Sequence, residues 1–186
     1  ANAHPHVSGG LAIVHNGIIE NFAEIKAELT AQGYTFTSDT DTEAVAHLLG
    51  HILKTTPDLF AAVRLATTRL TGAYAIAVLR EGADSLVVAR HGAPLLLGVA
   101  DDGHYAASDA SALLQVTRQV VYLDDGDIAE ISRGGFRVTR ADGTAVARPV
   151  TESHLSADAV ELGPYRHYMQ KEIFEQPQAL AATLEM

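Results

Sequence analysis

The segment His15-Asn16-Gly17 brings two kinds of hydrogen-bond donor to the end of a short apolar run. The side-chain amide of Asn16 and the backbone N–H of Gly17 are donor types that hold the oxyanion formed when a nucleophile attacks a carbonyl. Asn-Gly is also a common turn dipeptide, because both residues tolerate positive φ angles. The residue types alone leave two interpretations open, an oxyanion hole for acyl transfer and a simple turn.

Asp41 lies where a helical pattern begins, within Asp39-Thr40-Asp41-Thr42-Glu43. A carboxylate at this position is able to bind the cationic amine of a small ligand. It is equally able to stabilise the start of the helix, because the helix dipole favours negative charge there. The spacing of Thr40 and Glu43 predicts a capping box, in which each side chain accepts a hydrogen bond from the backbone N–H of the other residue.

Nine histidines raise the question of a metal site. His47 and His51 are four residues apart and would share a helix face, but the segment between them lacks the glutamate of the zinc-protease pattern. The sequence contains no phosphate-binding loop, no dinucleotide fingerprint and no Gly-x-Ser-x-Gly elbow. We therefore expect neither a bound metal nor an organic cofactor.

The composition argues against several classes of protein. Thirteen Lys and Arg against 23 Asp and Glu give a net charge of −10, so nucleic acid is a poor candidate partner because few cations are present to displace counterions. No apolar run approaches the roughly 20 residues that cross a bilayer. Cysteine is absent from these residues, which rules out a disulfide scaffold within them. We expect a cytoplasmic protein with no membrane partner.

Hydrophobic periodicity predicts helices first and strands afterwards. An apolar run over residues 10–15 predicts a strand, and three amphipathic helices are expected between residues 21 and 70. Short strand-like runs separated by turn signals follow, over residues 73–79, 85–90, 95–99, 104–108, 119–123, 127–131 and 136–139. Their connections are too short for crossover helices, so we predict an α+β fold with mainly antiparallel sheets.

The pattern changes after residue 147. Residues 148–163 are polar and lack clear periodicity, which indicates a surface loop or linker. Residues 164–186 are predicted to form a helical segment, with a helix over 165–176 that Pro177 interrupts. The predicted organisation is therefore a domain over residues 1–147, a linker and a C-terminal helical segment.

Several segments together resemble the glutaminase domain of class II glutamine amidotransferases. They occur in order along nearly the whole chain, at residues 3–6, 14–21, 33–36, 39–43, 72–75, 107–109 and 165–177. The last of these, which begins Tyr-Arg-His-Tyr-Met-Gln-Lys-Glu, is the most specific. It is similar to the corresponding segment of glucosamine-6-phosphate synthases, and it argues against other members of the class.

This resemblance implies both a fold and an activity. The fold would be that of an N-terminal-nucleophile hydrolase, an αββα sandwich, here truncated at its N-terminus. Asn16 and the Gly17 N–H would form the oxyanion hole, and Asp41 would bind the α-amino group of glutamine. Hydrolysis of glutamine to glutamate and ammonia would serve the conversion of fructose 6-phosphate to glucosamine 6-phosphate in amino-sugar biosynthesis.

The sequence departs from the family at the nucleophile. In the family an N-terminal cysteine attacks the amide and its own amine serves as the base, whereas these 186 residues include no cysteine. We therefore expect a fragment with negligible activity by itself, taken from a homodimeric enzyme whose C-terminal sugar isomerase domains are missing here. The alternatives are a catalytically silent glutamine-binding or regulatory module and another class II amidotransferase.

Overall fold

The structure is a computed structural model, and it describes residues 3–153 and 162–184. The chain divides into two compact units, Ala1–Ser153 and His154–Met186. Its helices are α1 (Phe22–Ala31), α2 (Asp41–Ile52), α3 (Leu59–Thr67) and α4 (Tyr168–Leu184), and a one-turn 3-10 helix covers Ala110–Leu113. Its strands are β1 (His6–Ser8), β2 (Leu11–Gly17), β3 (Tyr74–Arg80), β4 (Ser85–His91), β5 (Leu96–Ala100), β6 (Gly103–Ala107), β7 (Gln119–Tyr122), β8 (Asp127–Ser132), β9 (Gly135–Arg140), β10 (Ala145–Val146) and β11 (Thr151–Glu152).

Two antiparallel sheets form the first unit. The larger sheet has the strand order β1-β2-β3-β4-β8-β9-β10, and the smaller sheet has the order β11-β7-β5-β6. One face of the larger sheet packs against the helices, with Leu48, Val63 and Ile76 in the shared core. Its other face packs against the smaller sheet through residues such as Val88 and Leu97. The predicted α+β class with mainly antiparallel sheets is confirmed.

The outer face of the smaller sheet is covered differently from that of the larger one. Within residues 3–153 its apolar cover is the 3-10 helix, whose Leu113 packs with Leu96 and Val120. Asp109 begins this turn by accepting a hydrogen bond from the Ser111 N–H at 2.7 Å. Because this cover is small, most buried apolar side chains of the unit lie between the larger sheet and the three helices α1, α2 and α3.

Strand positions agree with the sequence pattern wherever the apolar run is at least four residues long. The seven strands expected between residues 73 and 139 occur within one residue of their predicted ends. The two- and three-residue strands β1, β10 and β11 were missed, because such short segments show no clear period of two. Strand β11 falls inside the predicted linker, half of which lies outside the described residues. The domain boundaries therefore stay a prediction.

The C-terminal helix α4 runs through Pro177. The expectation that this proline interrupts the helix is therefore wrong. Proline fixes φ near the helical value, so the ring can be accommodated at the cost of one backbone hydrogen bond. In the parts of the chain that the structure describes, no helix is both long enough and apolar enough to cross a membrane.

Strand β6 forms one edge of the smaller sheet and pairs with β5 on its other side. The neighbouring face of the larger sheet is also uncovered in part, since Val14 on β2 is 45% exposed and Leu79 on β3 is 49% exposed. An unpaired strand edge beside exposed apolar side chains favours pairing with another chain. This region is therefore a candidate surface for self-association of the first unit.

We expect the 186-residue chain to self-associate through this surface. Light scattering should give a weight-average mass that rises with protein concentration. The variant Leu79→Lys should shift the distribution toward monomer, because a charge on the exposed strand face opposes strand addition. Leu65→Lys is the matched control, since Leu65 is 46% exposed on α3 and away from any strand edge. A concentration-independent monomer would contradict the expectation.

Candidate functional site

Asn16 and Gly17 end strand β2, where the register pairs them with Ala75 and Tyr74 of β3. The Ile18 N–H donates to the Ala73 carbonyl at 2.8 Å, one residue beyond the strand. Because bonded and non-bonded pairs alternate along an antiparallel ladder, this bond turns the Gly17 N–H away from β3.

The side of β2 to which the Gly17 N–H points is the side on which β1 lies. Strand β1 pairs only with residues 11–13 of β2, through His6, Val7 and Ser8. Within the described chain, the stretch of β2 from residue 14 to residue 17 therefore has no strand beside it on that side. The Gly17 N–H is directed toward this open edge, as a donor to a bound oxyanion must be.

Gly17 has a backbone conformation that other residues rarely adopt. Its φ is +119°, and a Cβ atom added there would collide with the Ala73 carbonyl oxygen. The position therefore requires glycine for the path of the chain, independently of any catalytic role. The turn interpretation and the oxyanion interpretation are thus compatible, because the same sharp geometry that demands glycine also exposes its N–H.

The Asn16 side chain faces the space between the two sheets. Successive residues of a strand point to opposite faces, so Asn16 shares its face with Val14 while His15 points toward the helices. Asn16 is exposed and lines a cleft of about 240 Å³, whose other wall includes Ala107 at the end of β6 and the following Ser108. The amide donor therefore opens onto a space of the size of a small ligand.

A larger cleft, of about 850 Å³, is lined by residues of several strand turns, including Asp84, Asp102 and Arg133. Asn16 is not among the residues that line it, although it lines the smaller cleft; Gly17 and Asp41 line neither of the two. Size alone does not locate a site, because function also requires convergent polar groups of suitable chemistry. We therefore place the candidate site at the smaller cleft and the open edge of β2.

Asp41 is the first residue of α2, and its carboxylate is tied to the chain just beyond the donor pair. Its Oδ2 accepts a hydrogen bond from the Ile19 N–H at 2.8 Å. Ile19 follows Gly17 by two residues, so the Asp41 carboxylate lies near the end of β2, beside His15 on the helix side of the sheet, whereas the Asn16 side chain faces the space between the sheets. The Asp41 side chain is 21% exposed, which leaves part of the carboxylate accessible to a ligand.

The predicted capping box does not form, although α2 begins where it was expected. The Thr40 side chain makes no capping hydrogen bond to the helix. Glu43 instead accepts four bonds from the preceding loop, from the N–H and hydroxyl of Thr37 at 2.8 and 2.9 Å and from those of Ser38 at 2.7 and 2.6 Å. The carboxylate thus fixes the loop that leads into Asp41.

These bonds determine the ionisation of Glu43. Burial raises its pKa, but the bonds from Ser38 and Thr37 outweigh that effect and lower the pKa from 4.5 to about 2. The folded pKa is below the unfolded one, so the ionised side chain contributes stability above pH 4.5. That contribution is lost as the pH falls from about 4.5 to about 2.

We expect Glu43→Gln to reduce the free energy of unfolding at pH 7 by about 2 kcal/mol, because an amide offers one acceptor oxygen in place of two. Urea denaturation at pH 7 and at pH 3 measures the effect, and the difference from the parent protein should shrink at the lower pH. Glu24→Gln is the matched control, since Glu24 is exposed in the first turn of α1. An equal loss in both variants would contradict this role for Glu43.

His15 is buried next to Asp41 on the helix face of β2. Its Nδ1 lies 3.1 Å from the Thr42 hydroxyl and 3.6 Å from Asp41 Oδ1. Burial lowers the pKa of His15, which the charge of Asp41 raises in part and that of His4 lowers again. The ring is therefore neutral at pH 7. The contact of His15 with Thr42 was not predicted from the sequence. A histidine inside an apolar strand is nevertheless a signal of a buried polar contact.

His47 and His51 serve hydrogen bonding and packing. Among the described residues, no group of three or more His, Cys, Asp or Glu is arranged to hold a metal ion. His47 Nδ1 is 2.9 Å from the Ser8 hydroxyl, and its Nε2 is 3.1 Å from the Thr35 carbonyl. His51 packs edge-on against the ring of Tyr34. His47 and His51, on one face of α2, therefore attach β1 and the segment that includes Tyr34 and Thr35 to this helix.

A family model described as a glutamine amidotransferase domain matches residues 1–115. The chain belongs to this family. Isomerizing glutamine–fructose-6-phosphate aminotransferases are similar over its full length. The protein of Acidithiobacillus ferridurans is 60% identical over 186 residues, which cover 99% of this chain and 30% of that protein. The protein of Xanthomonas campestris pv. campestris is 53% identical over 100% of this chain and 30% of its own length.

Solved structures of glutamine amidotransferases share the fold. The glutamine phosphoribosylpyrophosphate amidotransferase from B. subtilis, complexed with ADP and GMP, is 29% identical with a TM-score of 0.62, over 75% of this chain and 32% of that chain. A second, described as an allosteric regulatory enzyme of purine biosynthesis, has a TM-score of 0.59 at 29% identity, over 74% and 30%. The resemblance drawn from the sequence is therefore confirmed.

The amidotransferase chain spans about 30% of the length of the curated relatives that it matches. The similarity to the aminotransferases extends to the helical segment after residue 162, whereas the family model ends at residue 115. The roles of Asn16, Gly17 and Asp41 remain predictions, which the geometry above supports without testing.

Proposed function

We propose that this chain is the glutamine-hydrolysing part of an isomerizing glutamine:fructose-6-phosphate aminotransferase. One observation carries the glutaminase role: the donor pair of Asn16 and Gly17 lies at an open strand edge, and Asp41 is held to Ile19 at 2.8 Å. The choice of sugar acceptor rests on the 60% identity to an enzyme of that name. A cytoplasmic location and a homodimeric full-length enzyme remain predictions that belong to this proposal.

In the proposed reaction, the α-ammonium group of glutamine pairs with Asp41, and its side-chain carbonyl oxygen lies against the donors of Asn16 and Gly17. A thiolate attacks the amide carbon, and the negative charge that develops on oxygen is stabilised by the two donors. The proton that the cysteine lost on becoming a thiolate passes to the amide nitrogen, so collapse of this intermediate expels ammonia and leaves a thioester, which water hydrolyses to glutamate and the free thiol. The mechanism requires a cysteine from outside these 186 residues, because they contain none.

The ammonia would pass to fructose 6-phosphate in sugar isomerase domains of the same protein. This step is proposed from the relatives alone, whose names include both the transfer and the isomerisation. Asn16 and Asp41 take part in the release of ammonia and not in its transfer. Substitutions at these residues should therefore lower glutamine-dependent synthesis while leaving the isomerase reaction unchanged.

The proposal is tested with the complete gene product, its mass and N-terminal residue first determined by mass spectrometry and sequencing. Glutamate and glucosamine 6-phosphate are measured with glutamine present, with and without fructose 6-phosphate. Equal yields of both products support the proposal. Glutamate formed without glucosamine 6-phosphate indicates another class II amidotransferase. Glutamine binding without any glutamate formed indicates a silent regulatory module, and either result overturns the proposal.

A further inference from the structure

The Thr42 hydroxyl is surrounded by three polar groups that belong to different parts of the first unit. It lies 3.1 Å from His15 Nδ1 on β2, 3.4 Å from His4 Nε2 in the segment before β1, and 3.5 Å from Asp41 Oδ1. Thr42 itself is only 2% exposed. A ligand is therefore not expected to touch it, and its polar contacts are internal to the protein.

The hydrogen bonds among His15, Thr42 and Asp41 have one favoured arrangement of protons. His15 Nδ1 is 3.6 Å from Asp41 Oδ1, so a ring with its proton on Nδ1 avoids placing a lone pair against a carboxylate. That N–H then donates to the Thr42 oxygen. The Thr42 hydroxyl proton is free for Asp41 or for His4, and the carboxylate is the stronger acceptor. The chain of bonds therefore runs from His15 through Thr42 to Asp41 Oδ1.

The two oxygens of Asp41 are thereby held by different partners. Oδ2 accepts from the Ile19 N–H at 2.8 Å, and Oδ1 accepts from the adjacent hydroxyl. Hydrogen bonds at both oxygens restrict the rotation of the carboxylate. A ligand that binds it then has less motion to restrict, which lowers the entropic cost of binding.

We propose that Thr42 is a positioning residue for the glutamine site, acting through its hydroxyl to hold the Asp41 carboxylate in the orientation that receives the α-ammonium group of the substrate. This inference rests on the proposed role of Asp41. It assigns a function to the middle residue of Asp41-Thr42-Glu43, in which Asp41 meets the ligand and Glu43 fixes the preceding loop.

Two pairs of variants in the complete gene product isolate the hydroxyl. Thr42→Val keeps the shape of the parent side chain and removes its hydroxyl. Thr42→Ser and Thr42→Ala differ from each other by one oxygen atom and lack the methyl group, so they carry the test if the valine variant does not fold. We expect KM for glutamine to rise about 5- to 20-fold in the valine and alanine variants, with kcat nearly unchanged, and the serine variant to stay near the parent.

A pair of inhibitors tests whether the effect passes through the α-amino group. Glutamate carries this group and glutarate is the same molecule without it. The inhibition constant of glutamate should rise in the valine and alanine variants by the same factor as KM, and that of glutarate should not change. A structural defect in the pocket would weaken both inhibitors.

The outcomes separate this inference from the function on which it rests. If Asp41→Asn leaves the inhibition by glutamate unchanged, the proposed site itself is wrong. If Asp41→Asn weakens glutamate while the serine and alanine variants of Thr42 behave alike, the site stands and the positioning role is overturned. A fall in kcat at constant KM, or equal loss of glutamate and glutarate, would also overturn it.

Discussion

Replacing Asn16 by alanine is expected to lower kcat for glutamine hydrolysis about 10²- to 10³-fold in the complete gene product, with KM changed little. The amide donates to an oxygen that carries a full negative charge only after attack, so its loss raises the barrier more than it weakens substrate binding. Steady-state kinetics of glutamate release measures both constants. The Asn16 side chain is exposed at the cleft, so its removal should leave the core intact.

Val14→Ala is the matched control for this prediction. Val14 lies two residues earlier on the same face of β2 and lines the same cleft, but its side chain has no hydrogen-bond donor. Its truncation should change kcat less than about twofold. A change confined to KM in the Asn16 variant would contradict the oxyanion role. The second donor cannot be tested in this way, because any side chain at Gly17 would collide with the Ala73 carbonyl.

The order of helices and strands followed from local pattern because each element buries one face. Apolar residues recur every second position in strands such as β9 and every third or fourth in helices such as α2, and burial selects the same spacing in the folded chain. The pairing of β4 with β8, which joins Ser85 to Ser132, was not predictable in this way. Such pairing is decided by tertiary packing, which a local pattern does not record.

The candidate site was predictable only in its ligand-facing residues. Asn16, Gly17 and Asp41 were predicted because their donors and charge suit the chemistry that the family resemblance implies, and their roles stay predictions. Their supporting contacts were not found, since the bond from Ile19 to Asp41 joins residues 22 positions apart. The loop bonds of Glu43 were misassigned to a capping box for a related reason: the spacing permits both arrangements, and only the path of the preceding loop decides between them.

Replacing Asp41 by asparagine is the sharpest test of substrate binding. The change removes the negative charge and keeps the size of the side chain and one carbonyl oxygen. A charge-assisted hydrogen bond is worth roughly 1.5–3 kcal/mol, so KM for glutamine should rise about 10- to 100-fold. The inhibition constant of glutamate should rise in parallel, and kcat should fall less than KM rises because the reacting amide is at the other end of the substrate.

Asp39→Asn provides the control for this change. Asp39 is exposed, lies two residues before Asp41 and carries the same charge, so long-range electrostatics alone would weaken binding in both variants. We expect its KM to stay within about twofold of the parent value, because an exposed charge is screened by solvent and salt. If Asp41→Asn destabilises the fold while KM is unchanged, the carboxylate serves the start of α2 and its bond to Ile19, and the substrate ammonium must be bound elsewhere.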